Sequence, residues 1–182
     1  GQSAVVENRS GGGGTIGTAE AVRSKADGHT VLVGNPGPNA IAYTIFRSMT
    51  YKADQLQPVS NLIRIPNIVS AHPSTGIKTI PDLIAYIKAN PDKLTFGSVG
   101  SGSGAHLVAE LLAANAGIKM THVPYKGSAP AMIDLLGGRL DLIFDYSIVV
   151  KPQIEAGKLR PLASTGAVRL TSHPDVPTAT EL

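Results

Sequence analysis

A recurring unit of short apolar run, glycine-rich loop and helical stretch constrains the fold of this chain more than any other feature. Residues 4–8 form one such run, followed by glycines at positions 11–14 and a helix-compatible stretch at 15–25. The same order returns at residues 30–47 and at 93–116. Strands that alternate with helices favour an α/β fold with mainly parallel sheets and binding loops at the carboxyl ends of the strands.

The remaining segments extend this pattern. Thr79, followed by Pro81 and Asp82, is typical of a helix start and predicts a helix that stops before Pro91. Ser128 is predicted to cap a helix through residue 136, and a further helix should end at Gly157. Three later strands are predicted at 120–123, 140–144 and 159–163, and 171–182 is expected to be irregular. The extended stretches 59–65 and 67–71, separated by Pro66, predict either a long bent strand or a crossing between two lobes.

Composition and charge exclude several classes of function. The net charge of +3 suits an anionic ligand, but the basic residues are scattered and form no cluster of the kind that binds nucleic acid. The chain has no cysteine and therefore no thiolate metal site or cysteine nucleophile. Its histidines stand far apart, without metal-ligand spacing, at His29, His72, His106, His122 and His173. The sequence therefore predicts no metal, no cofactor and no nucleic-acid partner.

One motif raises a nucleotide-dependent enzyme as an alternative. Gly12, Gly14 and Gly17 fit a dinucleotide fingerprint between a predicted strand and a helix. The acid that should end the next strand is missing, because residues 30–33 lead into Gly34 and Asn35. The competing interpretation is a glycine run that lets the backbone pass close to its neighbours.

The Gly/Ser loop, residues 97–104, is the main candidate for anion binding. It leads directly into a helix, so its N–H groups and hydroxyls can converge on an anion at the positive end of the helix dipole. The alternative is a flexible surface turn. No serine of the loop has glycine two residues away on both sides, so a nucleophile elbow is absent and no catalytic residue is predicted. The candidate binding residues of this loop are Ser98, Ser101, Gly102, Ser103 and Gly104.

Three further side chains are candidates for the same site. His106 lies in the first turn after the Gly/Ser loop, where a structural hydrogen bond is the competing role. Lys126 could attract an anion from a strand-to-helix loop, although a single lysine is most often a solvated surface charge. Asp145 ends an apolar strand, which favours either a site role or a helix cap.

Several segments, in collinear order, resemble the receptors of tripartite tricarboxylate transporters, also called the Bug family. The most specific is His122-Val123-Pro124-Tyr125-Lys126-Gly127-Ser128-Ala129-Pro130-Ala131. The others are residues 5–9, 27–30, 97–107, 134–141, 156–160 and 174–178.

The resemblance implies a periplasmic, two-lobed receptor of the flytrap type, type II-like, that holds a small mono-, di- or tricarboxylate and catalyses nothing. Lobe I would comprise residues 1–66 and 162–182, and lobe II residues 67–161. By position, the cleft would be lined by residues 98–104 with His106, and by Asn35, Tyr125, Lys126, Gly127 and Asp145.

The resemblance also implies partners. The receptor would act as a monomer and deliver its ligand to the membrane permease subunits of the transporter. A sensing or interaction module on the same fold is a third hypothesis. Members of the family usually begin with a further strand, Gly-rich loop and helix and continue well beyond the segment that matches Leu182, so the chain is expected to lack both family segments.

Overall fold

The computed structural model describes all 182 residues and contains a five-stranded sheet with the strand order β3-β2-β4-β1-β5. Strand β2 runs parallel to β3 and to β4, whereas β1 runs antiparallel to both β4 and β5. The predicted parallel pairing is therefore present among β2, β3 and β4, whereas both pairings of β1 are antiparallel, so the sheet is mixed. The strands are β1 (Asn67–Ala71), β2 (Thr95–Ser98), β3 (Thr121–Pro124), β4 (Leu142–Tyr146) and β5 (Arg160–Ser164).

Six α-helices accompany the sheet: α1 (Thr15–Arg23), α2 (Ala42–Ile45), α3 (Ile80–Ala89), α4 (Gly104–Ala116), α5 (Ser128–Leu136) and α6 (Ser147–Glu155). A π-helical turn, Gly37–Ile41, leads into α2. Short 3-10 turns lie at Gly12–Gly14, Ala53–Gln55, Pro73–Thr75 and Ala179–Glu181. None of the helices combines the length and the apolar character that crossing a bilayer requires.

Helices cover both faces of the sheet, which explains why its strands are apolar on both sides. Along β4, Leu142 and Phe144 pack into the core beneath α3 and α4, whereas Ile143 packs into the core beneath α5 and α6. The two cores meet only through the sheet. Loops at the carboxyl ends of β2, β3 and β4 therefore emerge on one edge, and that edge carries the starts of α4, α5 and α6.

Helix α3 begins as the sequence predicts. The Thr79 hydroxyl accepts a hydrogen bond from the Asp82 N–H at 3.2 Å, and Pro81 occupies the first turn, where no N–H is needed. The Asp82 carboxylate accepts the Lys78 N–H at 3.2 Å. The side chain of Asp82 thus bonds the residue before the cap and not the cap residue itself.

The strands predicted at 4–8 and 30–33 do not form, and the extended stretch 59–65 pairs with nothing. Strand-forming side chains favour an extended backbone, but a strand needs a hydrogen-bonded neighbour, and none lies beside these segments in the 182 residues. Their apolar side chains are consequently exposed, for example Val5 at 88% and Val31 at 77%. The helices of the first two predicted units are retained in α1 and α2.

The boundary between lobes predicted after residue 161 falls inside β5, which pairs with β1 along its length. Thr178 also bridges Ser164 in parallel. A division at that point would cut a hydrogen-bonded strand. The division of the chain into lobes stays a prediction.

Candidate functional site

A cleft of about 180 Å³ opens where the N-terminal part of the chain faces the loops that follow β2, β3 and β4. It is lined by Ser10, Gly11, Gly13, Gly14, Asn35, Val99, Ser103, Gly104, Lys126, Gly127 and Tyr146. No aspartate or glutamate is among these residues. The lining is therefore suited to an anion.

Four helices begin at this cleft. Their N-cap residues all line it: Gly14 precedes α1, Ser103 precedes α4, Gly127 precedes α5 and Tyr146 precedes α6. The N-terminus of a helix carries a partial positive charge and unpaired N–H groups. Convergence of these helix starts creates a positive field that does not depend on ionised side chains.

The start of α4 provides free donors. Ser103 is buried, and its hydroxyl oxygen accepts the His106 N–H at 3.3 Å. The N–H groups of Gly104 and Ala105, the first two residues of the helix, have no acceptor within the chain. Gly104 lines the cleft, so its N–H is available to a ligand oxygen.

The loop after β3 supplies the second set of donors. Gly127, and not the predicted Ser128, is the N-cap of α5, and its φ of 129° is one that glycine adopts readily. The N–H groups of Ser128 and Ala129 have no acceptor in the chain. Lys126 is the single cation among the lining residues and forms no ion pair.

The opposite wall is the glycine turn, residues 11–14. Gly13 is buried, and a Cβ added to it would lie 2.5 Å from the Ser101 carbonyl oxygen. Because residues 4–8 form no strand, the strand-turn-helix context of a dinucleotide fingerprint is absent. The glycine turn instead packs its backbone closely against the Gly/Ser loop, which was the competing interpretation.

Asn35 contributes an amide to the same wall. Its side-chain oxygen accepts the Gly37 N–H at 3.1 Å, which fixes the side chain in a local turn. Its amide nitrogen has no acceptor in the chain and faces Gly14. Asn35, Ser103, Gly104, Lys126 and Gly127 are thus the predicted site residues that the structure brings to the cleft.

Three other predicted residues lie behind the cleft wall. The Ser98 hydroxyl lies 2.6 Å from His122 Nε2 and accepts the Gly100 N–H. His106 Nδ1 accepts the Gly102 N–H at 3.3 Å. The side chains of Ser98 and His106 thus hold the Gly/Ser loop from behind, and Gly102 is the third predicted residue, held through its backbone N–H.

Tyr125 points away from the cleft. Its hydroxyl donates to Asp134 at 2.7 Å, and Arg139 contacts the same carboxylate at 2.8 Å. Burial, followed by the hydrogen bond to Asp134, raises the pKa of Tyr125 to about 12. The ring packs against the core beneath α5 and α6, so this side chain does not line the cleft.

Asp145 is almost fully buried at 1% exposure and does not line the cleft. One carboxylate oxygen accepts the Tyr146 N–H at 2.7 Å, whereas the other has no partner. Burial raises the pKa of Asp145, and the Ser128 hydroxyl and the Tyr146 N–H partly oppose that rise.

Ser101 contributes its backbone carbonyl to the contact with Gly13 and is not one of the residues that line the cleft. Ligand contact by any of the proposed residues stays a prediction.

The sequence did not predict five of the lining residues, namely Ser10, Gly11, Gly13, Gly14 and Tyr146. Tyr146 was detectable in principle, since it stands between a strand and a helix at the same edge as the Gly/Ser loop. The role of His122 behind that loop was also missed. It depends on the pairing of β2 with β3, which sequence spacing does not show.

Comparison with known proteins gives a consistent result. The family model described as "Tripartite tricarboxylate transporter family receptor" matches residues 1–182. Protein BugT of Bordetella pertussis is 39% identical over 184 residues, an alignment that covers 100% of this chain and 56% of that protein. This chain thus spans little more than half the length of that relative.

Two solved structures share the fold. The R. palustris protein Rpa4515 with adipate has a TM-score of 0.94 at 39% identity, covering 99% of this chain and 60% of its own. MatC from Rhodopseudomonas palustris with bound malate has a TM-score of 0.87 at 29% identity, covering 94% of this chain and 58% of its own. The mixed α/β fold is therefore one that solute receptors use.

Proposed function

This chain belongs to the tripartite tricarboxylate transporter receptor family, and from that premise we propose that it captures a small carboxylate in the cleft described above. We place this function in the periplasm, in a monomer that passes its ligand to the membrane permease of a tripartite tricarboxylate-type transporter. Its task is binding, since the family consists of receptors and not of enzymes. The chain spans 56% of BugT, so these statements about the whole protein are proposals.

One observation carries the proposal: four helix N-termini meet at a cleft without a single acidic lining residue. A carboxylate there would accept hydrogen bonds from free N–H groups and lie in the positive field of the helix ends. Relatives with the same fold that hold adipate and malate support this class of ligand. No arginine lines the cleft, so recognition rests on neutral dipoles with Lys126 as the one cationic contribution.

The start of α4 offers a test that removes a single N–H with little effect on the fold. Gly104 is the first residue of the helix, a position that proline favours because its N–H is unpaired there. Ser103 already has the extended conformation that precedes proline, with φ −71° and ψ 160°. Gly104→Pro should therefore fold normally and lose one donor to the ligand.

The matched control is Gly104→Ala, which keeps the N–H and has open space for its Cβ. A hydrogen bond to a charged group contributes roughly 1.5–3 kcal/mol, so calorimetry with malate and adipate should show Gly104→Pro about 10- to 150-fold weaker. Gly104→Ala should stay close to the parent. Equal affinities in both variants would count against this site.

Thermal unfolding tests the ligand class as a whole. A ligand at 100 times its Kd adds about 2.7 kcal/mol to stability. Malate or adipate should raise the melting temperature, and nicotinamide dinucleotide should not. A shift with the dinucleotide alone would replace the proposal with the nucleotide hypothesis.

A further inference from the structure

A stack of three rings lies directly behind the Gly/Ser loop. The ring of His122 stacks against Phe96, at a centroid distance of 4.8 Å, and against His106, at 4.1 Å with an interplanar angle of 15°, and Phe96 and His106 also stack on each other at 6.5 Å. The pairing of β2 with β3 places Phe96 opposite His122, and α4 brings His106 over them in its first turn. Two imidazoles are therefore held face to face beneath a loop that lines the ligand cleft.

Both imidazoles are tied to the loop by hydrogen bonds. His106 Nδ1 accepts the Gly102 N–H at 3.3 Å. His122 Nε2 lies 2.6 Å from the Ser98 hydroxyl, whose oxygen accepts the Gly100 N–H at 3.1 Å. Each histidine thus fixes one glycine of the loop, His106 directly and His122 through Ser98.

These two glycines need such support. Gly100 has φ 132° and Gly102 has φ 78°, conformations that other residues rarely adopt and that a free loop leaves readily. Gly100 also packs against the glycine turn, since a Cβ on it would lie 3.0 Å from the Gly13 nitrogen. The position of the Gly/Ser loop consequently sets both the donor geometry at Gly104 and the fit between the two walls of the cleft.

We propose that a neutral His106, stacked on His122, positions the Gly/Ser loop for carboxylate binding, and that protonation of His106 Nδ1 releases the loop and weakens binding. A proton on His106 Nδ1 would replace the acceptor of the Gly102 N–H with a second donor. This inference rests on the proposed function and assigns His106 a positioning role.

The charged neighbours of the pair are few. Within α4, Glu110 lies 3.5 Å from His106 Nε2 and favours a charged ring. On β3, the facing titratable group is His122, which opposes that charge across the stack. Strand β2 contributes Phe96 and Ser98, which are uncharged at the pH values in question. Burial, followed by the neighbouring His106, lowers the pKa of His122 to about 4, in keeping with a fold that holds this ring neutral.

A direct charge effect of the histidines would change the affinity in the opposite direction. An imidazolium close to the cleft would attract a carboxylate, so affinity would increase in acid. Release of the Gly/Ser loop would instead make the affinity for the carboxylate decrease in acid. The direction of the change therefore separates a positioning role from a direct charge effect.

The experiment is calorimetry of adipate and malate binding between pH 7.5 and 5, the range in which histidines ordinarily change charge. His106→Asn keeps an acceptor at the position of Nδ1 and cannot be protonated. His29→Asn is the matched control, because His29 is exposed and lies outside the stack. Ionisation of the ligand itself affects all variants equally.

We expect the parent and His29→Asn to lose at least tenfold more affinity between pH 7.5 and pH 5 than His106→Asn loses, each protein being compared with its own affinity at pH 7.5. Coincident pH profiles, or a parent that gains affinity in acid relative to His106→Asn, would overturn the inference and leave carboxylate binding intact. Absence of binding at every pH would instead refute the proposed function.

The parent protein provides a second measurement that needs no variant. The Gly102 amide resonance should change together with the His106 ring resonances as the pH is lowered, because its hydrogen bond depends on the charge of that ring. A Gly102 amide that does not respond when His106 gains its proton would overturn the inference even if His106→Asn failed to fold.

Discussion

Replacing Gly13 with alanine should impair binding more than folding. Gly13 has φ 62° and ψ 23°, a left-handed conformation in which alanine costs roughly 1–2 kcal/mol. That cost is present whether or not the cleft is closed. The second effect is steric: the new Cβ would lie 2.5 Å from the Ser101 carbonyl oxygen and 3.4 Å from the Ser103 nitrogen.

The steric effect acts only when the two walls of the cleft meet. Both contacts are backbone atoms of the Gly/Ser loop, so no side chain can rotate away, and the wall must move back by several tenths of an ångström. Overpacking of this kind costs typically 1–3 kcal/mol, which corresponds to an affinity loss of about 5- to 150-fold.

Gly117 provides the control. Its φ of 63° is nearly the same, but nothing lies within 4 Å of its added Cβ. Calorimetry with adipate and malate, together with urea unfolding, should show similar stability losses in both variants and an affinity loss in Gly13→Ala alone. A folded Gly13→Ala protein with parental affinity would refute the idea that these walls must meet for binding.

Three further predictions concern single side chains. Thr79→Ala removes the acceptor for the Asp82 N–H and should lower the free energy of unfolding in urea by about 1 kcal/mol, and no loss would contradict the cap. Lys126→Met should slow ligand association severalfold at low salt and leave equilibrium affinity within about fivefold near physiological salt, where screening acts over about 8 Å. Stopped-flow measurements give the association and dissociation rates, with Lys88→Met as the control. A complete loss of binding in Lys126→Met would contradict this prediction. For Asp145, burial raises the pKa in the folded state, so the native protein binds the extra proton and stability falls as pH rises through that pKa. The change in the free energy of unfolding that Asp145→Asn causes should therefore be more favourable at pH 7 than at pH 3.5. Urea unfolding at both pH values measures this change, and a more favourable value at pH 3.5 would contradict the prediction.

Local sequence signals predicted the second half of the fold well. The Thr79 cap, the apolar strand at 140–144 and the glycines that end helices act within a few residues, and each corresponds to an element of the structure. The segments at 4–8 and 30–33 carry equally good strand propensity but lack a partner strand, which propensity does not encode.

The candidate site was predictable where it depends on helix starts. The Gly/Ser loop precedes α4, and its glycines and hydroxyls are visible in the sequence. The inward or outward direction of a side chain was not predictable. Ser98, His106 and Tyr125 lie within or next to the loops of the cleft, yet their polar groups bond to His122, Gly102 and Asp134 and do not line it.

The central claim is that free N–H groups at helix starts hold a carboxylate. The most direct test is an NMR titration of the amide groups with malate and adipate, up to saturation. If so, the largest shifts should occur at Gly104 and Ala105 of α4 and at Ser128 and Ala129 at the start of α5. Saturable binding with its largest amide shifts on other elements, and with these four unchanged, would contradict it.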